Sequence, residues 1–289
     1  MTLPRPLDAA ELKTHPLPPV IDGGKETKGR ILVLAGSRDV PGAALLAAIA
    51  AMRAGAGKLR IATVASAAMA LGVAMPEALV IGLPEADDGG FDPSAVDRIA
   101  EQAARVDSVV AGPGVKHSDM CKRMAAVLLE SDAALALDVA LLRVLEPRAA
   151  RGARRTITPI LLPNADELAA LLDCEGQEID DDPVGCGRRA AELYGSIVLV
   201  KGVESHVVAP DGDAWTYQGG APGLGVSGSG DVLAGIVGGL LARGAEPLAA
   251  LLWSVWLHGE AGARMAKKVG AIGFLARELA EEVPALLPR

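Results

Sequence analysis

Residues 31–56 read ILVLAGSRDVPGAALLAAIAAMRAGA, and three physical signals follow one another along them. Ile31 to Ala35 is an aliphatic run of strand length, which Gly36 and Ser37 interrupt. Pro41 then falls where the first turn of a helix tolerates a residue without an N–H. From Gly42 the chain is apolar on nearly every face, so the helix it forms needs cover on both sides. A buried strand joined by a glycine turn to a buried helix is the opening of a βαβ unit.

The alternation continues outward from this stretch. KLRIATV (58–64) precedes an Ala-rich segment, ALVIGLP (78–84) a polar helix reaching Ala104, and DSVVAGPG (107–114) a helix through Met124 and Leu129. ALALDV (134–139), ITPILLP (157–163) with DELAALL (166–172), and SIVLVKG (196–202) complete the series. Short aliphatic strands alternating with helices read as an α/β protein with a mainly parallel sheet, covered on both faces. Near the C-terminus, HVVAP and AWTYQ flank Asp211-Gly212 and read as an antiparallel hairpin. Helices are expected from Asp231 to Arg243 and from Pro247 to Lys267. The Pro-punctuated residues 1–24 read as an N-terminal extension, and 25–289 as a single domain without repeat or linker. The apolar runs at 42–56 and 246–266 exceed what one sheet needs to cover, which predicts a homo-oligomer.

Composition narrows the partners. Twenty-eight Lys and Arg stand against 36 Asp and Glu, a formal charge of −8, so neither nucleic acid nor an anionic membrane has a basic surface to meet. Three Trp, two Tyr and two Phe leave an aliphatic core and no stacking platform for bases. No apolar run reaches the length of a membrane span, and prolines occupy the place of a signal peptide's apolar segment, so a soluble cytoplasmic protein is expected. Cys121, Cys174 and Cys186 lack ligand spacing and read as small buried hydrophobes. His15, His117 and His206 show no ligand spacing either.

In open α/β sheets ligands bind beyond the carboxyl ends of the strands. The loops there carry Gly36 to Gly42, Gly112-Pro113-Gly114, Asp138, Pro163 to Glu167 and Lys201-Gly202. The strongest signal is Gly223-Leu224-Gly225-Val226-Ser227-Gly228-Ser229-Gly230-Asp231, directly before the helical run VLAGIVGGLLARG. Glycines permit close backbone approach, and the free amides of a helix's first turn make an anion site. Asp231 at that positive end can accept a proton from a hydroxyl while the amides hold a phosphoryl group; its plain alternative is a helix cap. No strand of a short βαβ unit leads into this loop and no Lys follows its last glycine, so it is neither a dinucleotide fingerprint nor a P-loop.

The S-G-S-G-D element followed by V-L-A-G-I resembles the G-x-G-D anion hole of the ribokinase-like superfamily. With S-R-D-V-P-G-A-A-L, A-G-P-G, L-D-V-A-L-L, L-P-N-A-D-E-L and V-L-V-K-G in order, the chain from about 28 to 285 is similar to the ADP- or ATP-dependent NAD(P)H-hydrate dehydratases. The resemblance implies a ribokinase-like three-layer α/β/α sandwich. It also implies repair of NADH or NADPH hydrated at C6 (NADHX and NADPHX), with ADP or ATP as cosubstrate and Mg²⁺ held largely by phosphates and water. Asp231, with Gly228 and Gly230, would be catalytic. Ala43, Gly114, Asn164 and Asp231 would contact the hydrated dinucleotide. Lys201, Gly202, Val203, Glu204, Ser205 and Gly230 would bind the nucleotide, and the family's assembly is a tetramer.

Two positions depart from the family. Asn164-Ala165-Asp166-Glu167 stands for H-P-G-E, and its N-x-x-E is the pattern of the superfamily's vitamin kinases, where it organises Mg²⁺ and water; this makes Glu167 a candidate metal contact through water. Ala140 stands where many relatives have a second Asp after Asp138, which itself reads equally as a helix cap. His258, in an apolar helix, reads as structural. The runner-up function is therefore a kinase of a hydroxymethylpyrimidine- or hydroxyethylthiazole-like alcohol. A catalytically silent nucleotide-binding regulator is disfavoured by Asp231, since a binding module needs no base beside the phosphate.

Overall fold

Ten strands form one sheet in the computed structural model, which describes residues 3–19, 24, 27–150 and 155–288. In chain order they are β1 (Arg5–Pro6), β2 (Arg30–Leu34), β3 (Lys58–Val64), β4 (Ala78–Leu83), β5 (Ser108–Ala111), β6 (Ala134–Leu137), β7 (Ile160–Leu161), β8 (Ile197–Val200), β9 (Ser205–Val208) and β10 (Ala214–Tyr217). Their spatial order is β1-β10-β9-β8-β7-β6-β5-β2-β3-β4. Every pairing is parallel except those of β9 with β8 and β10. The central strands are apolar at consecutive positions because helices cover both faces, and Ile31 to Leu34 are fully buried.

The helices are α1 (Gly42–Arg53), α2 (Ala65–Ala74), α3 (Val96–Ala103), α4 (Asp119–Glu130), α5 (Ala165–Leu172), α6 (Gly176–Asp181), α7 (Pro183–Tyr194), α8 (Ser229–Ala242), α9 (Pro247–Lys268) and α10 (Ala276–Glu282). The chain steps from β2 through β3 to β4 in one direction, then returns to β5 on the other side of β2 and continues the opposite way. Right-handed crossovers therefore put α1 and α2 on one face and α3 to α7 on the other. Helices α8, α9 and α10 join α1, completing three layers.

The two long apolar segments are used inside the molecule. Helix α1 packs along α8 so closely that a Cβ on Gly235 would lie 2.2 Å from the Ala47 carbonyl oxygen. The surplus apolar surface read from 42–56 and 246–266 is thus covered within one chain. Exposed aliphatic side chains lie elsewhere, at Met69 and Val73 of α2 and Leu79 of the edge strand β4.

Of the N-terminal extension, described residues pack onto the body of the molecule. Strand β1 pairs with β10, Leu7 and Leu12 enter the core, and Glu11 Oε1 accepts from Trp215 Nε1 at 2.7 Å. The boundary drawn at 24/25 adjoins residues 20–23 and 25–26, which are outside the described residues. Among the described residues no helix is long and apolar enough to cross a membrane.

Candidate active site

Because β2 lies between β3 and β5, the loops leaving β2 and β5 diverge over opposite faces and open a crevice at the carboxyl end. They are tied across it: the Gly36 amide donates to the Pro113 carbonyl at 2.7 Å. Gly114 follows with φ +64°, and a Cβ there would stand 2.6 Å from Ala43 Cβ and 2.8 Å from the Val40 carbonyl oxygen. Only glycine fits. Ala43 and Gly114, far apart in sequence, are therefore neighbours on one wall of the crevice. Arg38 braces this wall, donating from Nε to Glu85 Oε1 at 2.6 Å and from its backbone N–H to the Gly89 carbonyl at 3.0 Å.

The loops after β6, β7 and β8 supply charge instead. Asp138 is almost fully buried and accepts from Lys201 Nζ at 2.8 Å; Glu167 Oε2 lies 3.8 Å from the same ammonium. Val139, directly after Asp138, holds φ +49°, a conformation that a β-branched residue rarely adopts. Burial works against the charge of Lys201, but Asp138 and Glu167 outweigh it and hold its pKa above the ordinary lysine value. Burial pushes the Glu167 carboxyl up, against the pull of Lys201.

Asn164 and Glu167 form a reciprocal capping box at the start of α5. The Glu167 amide donates to Asn164 Oδ1 at 2.8 Å, and the Asn164 amide donates to Glu167 Oε2 at 2.9 Å. The N-x-x-E pattern is thus accounted for locally, and the acceptor oxygen of Asn164 is already engaged.

Gly228 is the N-cap of α8; its φ of +89° reverses the chain sharply, and it offers no side chain to cap the helix. First-turn amides therefore remain for a ligand. Asp231 stands in that first turn but is not the cap, which removes its plain alternative. Its carboxyl is pushed up to about 6, by burial first and by Asp138 second, with Lys201 opposing. A Cβ on Gly230 would lie 3.8 Å from Lys201 Nζ, so the uncapped helix end and the buried ammonium face one space. From α9, His258 Nε2 reaches Ser229 Oγ at 2.9 Å and the Ser229 carbonyl oxygen at 3.1 Å.

Most of the expected residues converge here: Asp138, Glu167, Lys201, Gly228, Gly230 and Asp231 on one side, Ala43 and Gly114 on the other. Of the stretch expected to bind the nucleotide, Val203 is wholly exposed, and Glu204 Oε1 accepts from Gln218 Nε2 at 2.9 Å beside the hairpin. Two contacts escaped sequence reasoning. Asp138 as partner of Lys201 was signalled only by an acidic residue ending an apolar strand, and the reach of His258 to Ser229 had no local signal. A cavity of about 700 Å³ opens at the amino ends of the strands around Asp107, Ala134 and Arg243, away from all of these groups.

Residues 31–285 match the family described as NAD(P)H-hydrate dehydratase. The chain belongs to the NAD(P)H-hydrate dehydratase family. It is 43% identical over 286 residues to an ADP-dependent (S)-NAD(P)H-hydrate dehydratase of Xanthomonas campestris, covering 99% of this chain and 96% of that protein. Bifunctional NAD(P)H-hydrate repair enzymes also match, and the chain spans about half of their length. Among solved structures it resembles the Bacillus subtilis ADP/ATP-dependent NAD(P)H-hydrate dehydratase co-crystallised with ATP and Mg²⁺, with TM-score 0.85, 27% identity and coverage of 99% and 98%. An Enterococcus faecalis ribokinase-like superfamily protein, 21% identical with TM-score 0.80 over 98% and 94% of the two chains, shares the fold. The ribokinase-like α/β architecture expected from the dehydratase motifs is therefore the one observed.

Proposed function

We propose that this chain dehydrates the S form of hydrated NADH and NADPH at the expense of ADP or ATP, with Asp231 as the base. The observation that carries the assignment of Asp231 is its position: a carboxylate with no hydrogen-bond partner among the described residues and a pKa near 6, in the first turn of a helix without a side-chain cap and facing Lys201. Near neutral pH such a group is ionised yet basic enough to accept a proton. It takes the C6 hydroxyl proton while that oxygen attacks the terminal phosphoryl group, whose bond to the nucleotide breaks. The ring nitrogen then expels C6-bound phosphate, which leaves far better than hydroxide. Loss of the C5 proton completes the double bond, giving NAD(P)H, inorganic phosphate and the shortened nucleotide.

The Gly228 to Asp231 backbone and Lys201 bind the charge on the transferred group, since phosphoryl transfer is largely positioning and electrostatics. The strand-end stretch Lys201 to Ser205 receives the nucleotide; Ala43, Gly114 and Asn164 line the dinucleotide side. Among the described residues no three His, Cys, Asp or Glu side chains group closely enough to hold a metal ion by themselves, and Asp138 and Glu167 face Lys201, so a Mg²⁺ here would be held mainly by phosphates, with Glu167 reaching it through water. The ion would offset phosphate charge. A cytoplasmic setting and a homotetramer complete the reading, with exposed Met69, Val73 and Leu79 as candidate subunit contacts.

The kinase alternative rested on Asn164, whose acceptor oxygen is engaged in the capping box with Glu167. The test is purified protein with S-NADHX, Mg²⁺ and ADP. Return of reduced-nicotinamide absorbance with stoichiometric phosphate supports the assignment. A stable phosphate ester of the hydrate, or no turnover with either nucleotide, overturns it.

A further inference from the structure

Helix α9 contributes a group to the anion hole that the family's motifs do not name. His258 Nε2 lies 3.1 Å from the Ser229 carbonyl oxygen and 2.9 Å from Ser229 Oγ. A carbonyl only accepts, so a hydrogen bond there requires the proton on Nε2; a hydroxyl can accept from the same N–H. The two contacts are mutually consistent only for the Nε2–H form of the ring. Desolvation, reinforced by nearby Lys201, lowers the His258 pKa to about 4, so the imidazole is neutral at working pH.

The Ser229 carbonyl and the Gly230 N–H belong to one planar peptide unit, pointing in opposite directions. A donor that fixes the carbonyl therefore fixes the amide. As the first residue of α8, Ser229 already gives its carbonyl to the helix's own ladder; a second lone pair remains for His258, and no side-chain cap adds a further restraint at this end, where Gly230 has no side chain. We propose that His258 is a positioning residue that holds the Ser229–Gly230 peptide plane, so that the Gly230 N–H stays aimed at the phosphoryl group during transfer. A neutral ring suits this task, because it restrains the plane without adding a charge beside Lys201.

The role rests on the dehydratase reading for its kinetic consequence but not for its structural one. In wild-type protein, nitrogen-15 NMR of labelled histidine at pH 7 should find His258 neutral with the proton on Nε2. The opposite tautomer overturns the proposal whatever reaction the protein runs. In the dehydration assay, His258→Ala should lower kcat by about tenfold to a hundredfold, less than outright loss of an oxyanion-hole donor, with KM for the hydrate changed little. His258→Gln, whose amide nitrogen can reach the same carbonyl, should recover most of kcat. Ser229→Ala removes the hydroxyl but keeps the carbonyl, so its kcat should fall clearly less than that of His258→Ala. If Ser229→Ala falls as far as His258→Ala, the hydroxyl and not the peptide plane carries the effect. Unchanged kcat in folded His258→Ala, or no recovery in folded His258→Gln, leaves His258 a packing residue and overturns the proposal. Melting temperatures of all variants separate these outcomes from misfolding.

Discussion

The two walls of the crevice are built from opposite materials. Around β2 and β5 the wall is backbone: Gly36 bonded to Pro113, Gly114 pressed on Ala43, with Arg38 bracing from outside. Around β6, β8 and α8 it is buried charge, with Asp138, Glu167 and Asp231 about one lysine. The first wall discriminates by shape and tolerates no added atom. The second stores electrostatic free energy and tolerates no missing partner. A substitution should therefore act through volume on one side and through charge on the other.

The largest effect is expected at Asp231. Asp231→Asn keeps the shape but cannot take the hydroxyl proton, so turnover should fall by about 10² to 10⁴. In wild type, kcat/KM should decline as pH drops through about 6, where the carboxylate is protonated. Stability moves the other way. The folded pKa lies above the ordinary value of 3.8, so the folded chain holds a proton that the unfolded chain has released. Wild type therefore loses stability as pH rises through about 6, and the Asn variant does not. Melting curves should place Asp231→Asn above wild type by on the order of 2 kcal/mol at pH 8, converging near pH 4. A variant that is less stable at every pH would return Asp231 to a structural role.

Next comes the buried pair. Lys201→Met strands Asp138 in the interior, and breaking such a pair typically costs about 3–5 kcal/mol. Adding Asp138→Asn removes the stranded charge while keeping an acceptor for the Val139 N–H, so the double variant should regain much of the loss. Denaturant unfolding of the four proteins gives the coupling, and additive losses would mean that the two side chains do not interact. Calorimetry should find ADP binding weak in both Lys201 variants, because restored folding does not restore the phosphate's cation.

These charge relations explain what could be read from sequence. Strands such as Ile31–Leu34 and Ser108–Ala111 were readable because a strand buried on both faces is a short unbroken aliphatic run. The β9–β10 hairpin was announced by Asp211-Gly212. Strand β1 was not, because two residues including a proline pair only at an edge, and alone look like a lead-in. The glycine wall and the anion-hole loop stand out in composition. The Asp138–Lys201 bond spans 63 residues between separate loops, and neither end carries a pattern that names the other. Asn164 was readable as chemistry only because its capping partner Glu167 is also the residue of a catalytic motif.

On the glycine wall, Gly114→Ala should act by volume alone. The added methyl meets Ala43 Cβ and the Val40 carbonyl oxygen, and φ of +64° is unfavourable for alanine. KM for the hydrate should rise by about tenfold, an effect of about 1.4 kcal/mol, while ADP affinity stays unchanged. Equal losses for both ligands would show that the two walls respond as one body.

The smallest effect concerns Thr63, at the end of β3 and behind the same wall. Its side chain is fully buried, and Oγ1 has no hydrogen-bond partner among the described residues. The hydroxyl abuts Gly36, 3.0 Å from where a Cβ would stand, so it packs against the turn without bonding to it. Thr63→Val replaces this hydroxyl by a methyl group of similar size. An unsatisfied buried hydroxyl typically costs about 1–3 kcal/mol, partly offset here by imperfect fit of the methyl, so a gain near 1 kcal/mol is expected. Turnover and ADP affinity should stay within about twofold. Chemical denaturation of the two proteins decides the sign. A loss of stability would mean that the hydroxyl is satisfied in solution by water. A loss of hydrate turnover at unchanged stability would instead show that the Gly36 turn borrows the hydroxyl when substrate binds, and the backbone wall would then contain a polar group engaged only in the complex.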